Sequence, residues 1–206
     1  MNAPRHFSLL RSFSLADWLT LANAACGMGA VLALMGALEA DSRRLMLLAA
    51  ALIPLALVFD VLDGRVARWR HRQSSLGREL DSLADVISFG VAPAAFAYAA
   101  GMRGGWDVAV LLYFVACGVS RLARYNVSAA DMSGDDGKVT HFEGTPIPSS
   151  VLLVGLLAVA VWLGRTGDAL WFGAWQLGPW QLHPLVLLWA LSGSLMVSRT
   201  LRIPKL

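Results

Sequence analysis

Long uncharged runs separated by short charged clusters dominate the chain. Trp18 to Leu38 carries no charge and is bounded by Asp17 and Glu39; further uncharged runs cover Leu45–Phe59, Val86–Met102, Val108–Ser120, Ile147–Gly164 and Leu182–Ser198. These runs predict six helices in an all-α fold. A helix that spans a bilayer needs about 20 residues. The shorter runs must therefore extend into neighbouring charged segments, and those charges should lie at helix ends or in a polar cavity. Ahead of the first run, Phe7, Leu10 and Phe13 recur at intervals of three, which predicts a short interfacial helix within residues 1–16. The polar stretch Ser128–Gly144 is the one long loop, and residues 1–206 are expected to form a single domain.

Composition supports a membrane setting. Of 206 residues, 57% are hydrophobic and 15% charged, and the mean hydropathy is +0.59. A soluble domain carries about 45–50% apolar and about 25% charged residues. These values exclude a disordered chain, a nucleic-acid-binding tail and an ordinary cytosolic enzyme. Cys26 and Cys117 lie in apolar runs without metal-type spacing and read as small buried hydrophobes. With the N-terminus in the cytosol, 13 of the 17 Lys and Arg residues fall on cytosolic segments. This asymmetry predicts six spans in the inner (cytoplasmic) membrane with both termini cytosolic. Trp106, Trp171, Trp175 and Trp180 then mark the outer interface. A lipoprotein signal before Cys26 is disfavoured by Asn23 and by a run longer than a signal h-region.

Four aspartates break the apolar pattern. Asp60 and Asp63 are three apart; Asp81 and Asp85 are four apart. At about 100° per residue each pair projects from one helix face. The first pair closes the second span and the second pair opens the third, so all four converge at the cytosolic end of two adjacent antiparallel helices. Four like charges in one site need compensation. Two divalent ions would supply it, and hard Mg²⁺-type cations take carboxylate oxygens together with substrate phosphates. The alternatives are helix caps or ion pairs with nearby arginines.

The loop between the pairs suits a phosphate. Gly64 allows close approach to the backbone, Ala67 is small, Arg68 offers a planar fork and Ser74 a hydroxyl. Arg65, Arg70, Arg72 and Arg78 are readable as positive-inside anchors alone.

The segment Asp60–Asp85 reads D-x-x-D-G-x-x-A-R, eight residues, G, three residues, D, three residues, D. It resembles the signature of the CDP-alcohol phosphotransferase family at every fixed position. The resemblance implies a six-span enzyme that transfers the phosphatidyl group of a CDP-linked lipid to an alcohol and releases CMP. It further implies that Asp60, Asp63, Asp81 and Asp85 hold two ions, Mg²⁺ or Mn²⁺, and that Asp85 is the general base rather than Asp81. Asn23, Asp60, Gly64, Arg68, Ser74 and Asp81 would contact CDP-diacylglycerol, and the enzyme would be a homodimer. For Asn23 an interhelical hydrogen bond is the alternative.

Within the family, Asp81–Pro93, Arg121–Asn126, Phe142–Pro148 and Met196–Ser198 resemble the phosphatidylserine synthase branch. Tyr125 and Thr145 depart from it, where Phe and Leu are usual. The branch implies L-serine as acceptor. Arg121 and Arg124, three apart near a helix end, are suited to its carboxylate, with Asn126 completing the pocket. Favourable charge at a helix C-terminus is the alternative for the arginines. Rival readings are another acceptor on the same fold (glycerol 3-phosphate, an inositol phosphate or choline), an intramembrane cation or proton transporter, and an inactive lipid-binding scaffold.

Overall fold

The computed structural model describes residues 13–69, 75–132, 141–198 and 202–204. Among the described residues seven α-helices carry the fold: α1 (Leu15–Ala40), α2 (Arg43–Trp69), α3 (Ser75–Asp85), α4 (Ala92–Ala100), α5 (Gly105–Met132), α6 (Ser150–Trp162) and α7 (Leu187–Val197). A π-helical turn, Val86–Val91, joins α3 to α4 in one continuous rod. Four rods are long and apolar enough to cross a membrane: Leu15–Ala40, Arg43–Trp69, Leu76–Ala100 and Gly105–Val127. Two shorter apolar helices, Ile147–Trp162 and Pro184–Val197, complete the bundle. This is the architecture of a multi-pass membrane protein. Large apolar side chains such as Leu32, Met35, Leu112 and Leu152 point outward, as they do when lipid rather than water is the solvent.

The helices run past the uncharged segments. The second rod continues ten residues beyond Phe59 and the fifth helix twelve beyond Ser120. Charged residues are thus carried on helix ends, and α5 takes up the first part of the polar stretch expected as loop. Of the expected N-terminal interfacial helix, residues 1–12 lie outside the described residues. Ser14 is the N-cap of α1, in a capping box in which Asp17 Oδ2 accepts the Ser14 N–H at 2.6 Å.

Two small antiparallel β-pairs depart from an all-α expectation. β1 (His141–Glu143) pairs with β4 (Arg202–Pro204), and β2 (Trp175–Leu177) with β3 (Trp180–Leu182). Each strand has three residues, too short for periodicity to reveal. The second pair turns on Gly178 at φ +64 followed by Pro179, a combination suited to a tight reversal. That hairpin packs on the end opposite the aspartates. Trp106 Nε1 donates to the Leu177 carbonyl at 3.0 Å, and buried Asp107 accepts from the His183 N–H at 2.7 Å.

Packing between rods depends on small residues. α1 buries Asp17, Thr20, Asn23, Gly27, Ala30, Leu34 and Ala37, one stripe at intervals of three and four. Its C-terminal part packs along α2, where a Cβ at Gly29 would lie 3.5 Å from Leu52 Cδ1 and one at Gly36 3.3 Å from Leu45 Cδ1. At Gly27 the third rod comes closest: a Cβ there would lie 2.7 Å from Ser88 Cα. Only glycine permits that approach.

Candidate active site

The stripe on α1 changes character toward its start, from Gly27 through Asn23 and Thr20 to Asp17. There it faces α2 where that helix carries Asp60 and Asp63, and α3 where it carries Asp81 and Asp85. Carboxylate oxygens of Asp60, Asp63 and Asp81 all lie within 4.8 Å of one another. Asp63 is nearly fully buried, whereas Asp60 and Asp81 are half-buried. Asp85 is also buried and sits one turn further into the bundle, within electrostatic reach of Asp60, Asp81 and Asp63. Among the described residues none of the four forms an ion pair with an arginine or lysine. Among the described arginines of the signature segment, Arg65, Arg68 and Arg78, none therefore pairs with them; Arg70 and Arg72 lie outside the described residues. Asp81 Oδ1 is buried with no hydrogen-bond partner. Clustered hard oxygen donors with a free buried lone pair fit a divalent cation.

Neighbouring helices hold the carboxylates in place. Thr20 Oγ1 donates to Asp63 Oδ2 at 2.6 Å, and Asn23 Nδ2 donates to Asp85 Oδ1 at 3.3 Å. A cavity of about 270 Å³ opens beside the cluster. Its lining includes Asp17, Thr20, Asp63, Gly64, Arg68 and Asp81. Arg68 folds back over Gly64: a Cβ at Gly64 would meet the Arg68 Nη1 at 3.5 Å. The glycine leaves the guanidinium and the cavity floor open to a ligand. Ser74, expected beside them, lies outside the described residues.

The decisive comparison is with family sequences. The CDP-alcohol phosphatidyltransferase profile matches residues 13–192. The chain belongs to that family. A Saccharomyces cerevisiae relative is 41% identical over 203 residues, covering 97% of this chain and 74% of its own. A Mycobacterium tuberculosis (strain H37Rv) relative is 41% identical over 143 residues, 68% of this chain and 49% of its own. A Methanocaldococcus jannaschii relative is 34% identical over 148 residues, 72% of this chain and 62% of its own. Each of the three is named CDP-diacylglycerol–serine O-phosphatidyltransferase. The chain therefore spans about half the length of the mycobacterial relative and about three quarters of the yeast one.

In this CDP-alcohol phosphatidyltransferase the second wall of the site comes from α5. Arg121 is within electrostatic reach of Asp85 and Arg124. Arg121 Nε and Arg124 Nη2 are buried without a hydrogen-bond partner, while Arg124 Nη1 donates to the Val197 carbonyl at 3.5 Å. Asn126 is placed differently from its neighbours. Its Oδ1 accepts from Ser82 Oγ at 3.1 Å and its Nδ2 donates to Glu79 at 3.3 Å. Both ends of its amide thus tie α5 to α3; of α5 the cavity lining includes Tyr125, and not Arg121, Arg124 or Asn126.

Asp17 and Thr20 line the candidate site, and the signature does not reveal them. Asp17 is buried in the cavity wall and acts electrostatically on Asp63. The signal for both was present as polar residues three apart, in register with Asn23, on an otherwise apolar helix.

Proposed function

We propose that the chain transfers the phosphatidyl group of CDP-diacylglycerol to the hydroxyl of L-serine, yielding phosphatidylserine and CMP. The convergence of Asp60, Asp63 and Asp81 within 4.8 Å beside an open cavity carries this reading. These three with Asp85 would hold two divalent ions, Mg²⁺ or Mn²⁺, which supply positive charge to the pyrophosphate and the departing CMP. Arg68, above Gly64, would take a phosphate oxygen, and Asn23, Ser74 and the cavity wall would orient the nucleotide.

Asp85 is the general base in this reading. It accepts the serine hydroxyl proton as that oxygen attacks the β-phosphorus; the new P–O bond forms as the bond to CMP breaks. Arg121 and Arg124, with unpaired guanidinium nitrogens on the facing wall, would bind the serine carboxylate. Asn126 would then act from behind that wall by holding α3 against α5. Positioning and electrostatic stabilisation account for most of such a phosphoryl transfer. The reading includes six spans, both termini and the site on the cytosolic side of the inner membrane, and a homodimer.

Purified full-length protein in lipid nanodiscs, given CDP-diacylglycerol, labelled serine and Mg²⁺ or Mn²⁺, should form labelled phosphatidylserine with one CMP per product. A chelator should stop it. Turnover with glycerol 3-phosphate but not serine would overturn the acceptor. Absence of metal-dependent CMP release with any alcohol would overturn the reaction.

A further inference from the structure

The π-turn Val86–Val91 begins directly after Asp85 and is clamped from two sides. On the α1 side, Ser88 Oγ donates to the Asn23 carbonyl at 2.9 Å, and the Asn23 side chain donates to Asp85. On the other side lies the segment that leads into α6. The Phe89 carbonyl would ordinarily accept the N–H four residues ahead, but that residue is Pro93, which has none. Ser150, fully buried, fills the vacancy: its Oγ donates to the Phe89 carbonyl at 2.7 Å. Three residues upstream, Ile147 is wedged between rods. A Cβ at Gly118 of α5 would lie 2.8 Å from Ile147 Cδ1, and one at Gly90 of the π-turn 3.8 Å. The segment is in turn fixed to α7, where the Thr145 N–H donates to the Leu195 carbonyl at 3.2 Å and Gly144, at φ +75, lies against the Met196 carbonyl.

We propose that Ser150 is a positioning residue for the transfer reaction, acting through the π-turn to aim Asp85 between the carboxylate cluster and Arg121. A π-turn carries one residue more than the α-helical repeat, so a small local change in it shifts the direction of the residue at its edge, Asp85. Ser150 satisfies the carbonyl that Pro93 leaves open within the turn, and Ile147 fills the gap between the turn and α5. Together they fix where Asp85 stands relative to the α5 wall. The cavity beside Gly64 and Arg68 is lined by α1, α2, α3 and Tyr125 of α5, and no residue of this segment or of the π-turn lines it. The role rests on the reading of Asp85 as the base.

The test is steady-state kinetics on the full chain in nanodiscs, varying CDP-diacylglycerol and serine separately. Ser150→Ala should lower kcat by about 10- to 100-fold, the range expected of a small misplacement of a reacting group. The KM for CDP-diacylglycerol and inhibition by CDP should stay at the wild-type values. Ser150→Thr, which keeps the hydroxyl, should recover most of kcat. Gly118→Ala, which displaces Ile147, should show the same split and decides the question if Ser150→Ala does not fold. Wild-type kcat in the folded alanine variants, or a kcat loss matched by weakened CDP binding, overturns the positioning role alone. A wild-type protein that releases no CMP overturns the functional reading and this role with it.

Discussion

Asn23 on α1 donates its side-chain amide to Asp85 on α3 across 3.3 Å, and the two residues are 0% and 7% exposed. The contact joins the first rod to the innermost acid of the cluster. Removing the donor leaves a buried carboxylate oxygen without its partner, which costs about 1–3 kcal/mol, more for a charged group. Asn23→Ala should therefore lower kcat at least tenfold, of the order expected from that energy, with the protein still folded. Asn23→Asp should be worse, because a like charge beside Asp85 opposes its ionisation. Asp85→Asn should abolish CMP release while retaining CDP-diacylglycerol binding. Parallel binding and turnover assays separate these outcomes, and loss of binding alone would mark Asp85 as purely a ligand.

Thr20 does for Asp63 what Asn23 does for Asp85. Its hydroxyl, 2.6 Å from Asp63 Oδ2, orients from the helix next door an oxygen that the proposed function assigns to a metal. Groups that orient ligands in this way are worth about 10- to 100-fold in metal affinity. Thr20→Val keeps the shape and removes the hydroxyl. It should shift the Mg²⁺ or Mn²⁺ concentration for half-maximal activity upward by that factor, with activity recovered at saturating metal. An unchanged metal titration would show that Asp63 needs no such support.

Much of this was legible before any coordinates. Asp60, Asp63, Asp81 and Asp85 announce themselves because carboxylates are expensive in an apolar rod, and their helical spacing gives the face they share. Gly64 and Arg68 follow from the same segment. Asp17 and Thr20 were hidden, since a capping acid and a threonine at the start of a helix have an ordinary local explanation. The π-turn was hidden for a different reason. The hydrogen bond that clamps it comes from Ser150, 61 residues away from Phe89, a tertiary contact that no local pattern contains. For Asn126, proximity in sequence to Arg121 and Arg124 suggested the acceptor pocket; that its amide also bonds Ser82 and Glu79 of α3 is a tertiary contact the sequence does not show.

Gly27 sets how closely the first and third rods meet. A methyl there would stand 2.4 Å from Ser88 Oγ and 2.7 Å from Ser88 Cα, so side-chain rotation alone cannot make room. Gly27→Ala should destabilise the protein by about 1–3 kcal/mol, the usual range for overpacking. The thermal midpoint in detergent should fall, and activity with it, because Ser88 and Asn23 lie on the path to Asp85. A variant with wild-type stability would mean that the rods can separate without cost.

Arg121 and Arg124 give the sharpest test of the acceptor. Both carry a buried guanidinium nitrogen without a hydrogen-bond partner, and Arg121 lies within electrostatic reach of Asp85. An unpaired N–H in such a place costs stability unless a ligand completes it, and an amino-acid carboxylate is a suitable match in charge and planarity. Arg121→Ala and Arg124→Ala should each raise the KM for serine by roughly tenfold or more, as loss of a charged hydrogen bond implies, and leave the KM for CDP-diacylglycerol nearly unchanged. Asn126→Ala, whose amide bridges α3 and α5, should instead lower thermal stability and kcat without a selective effect on serine. If the arginine variants weaken both substrates equally, their guanidinium groups serve the protein's charge balance and the carboxylate is bound elsewhere.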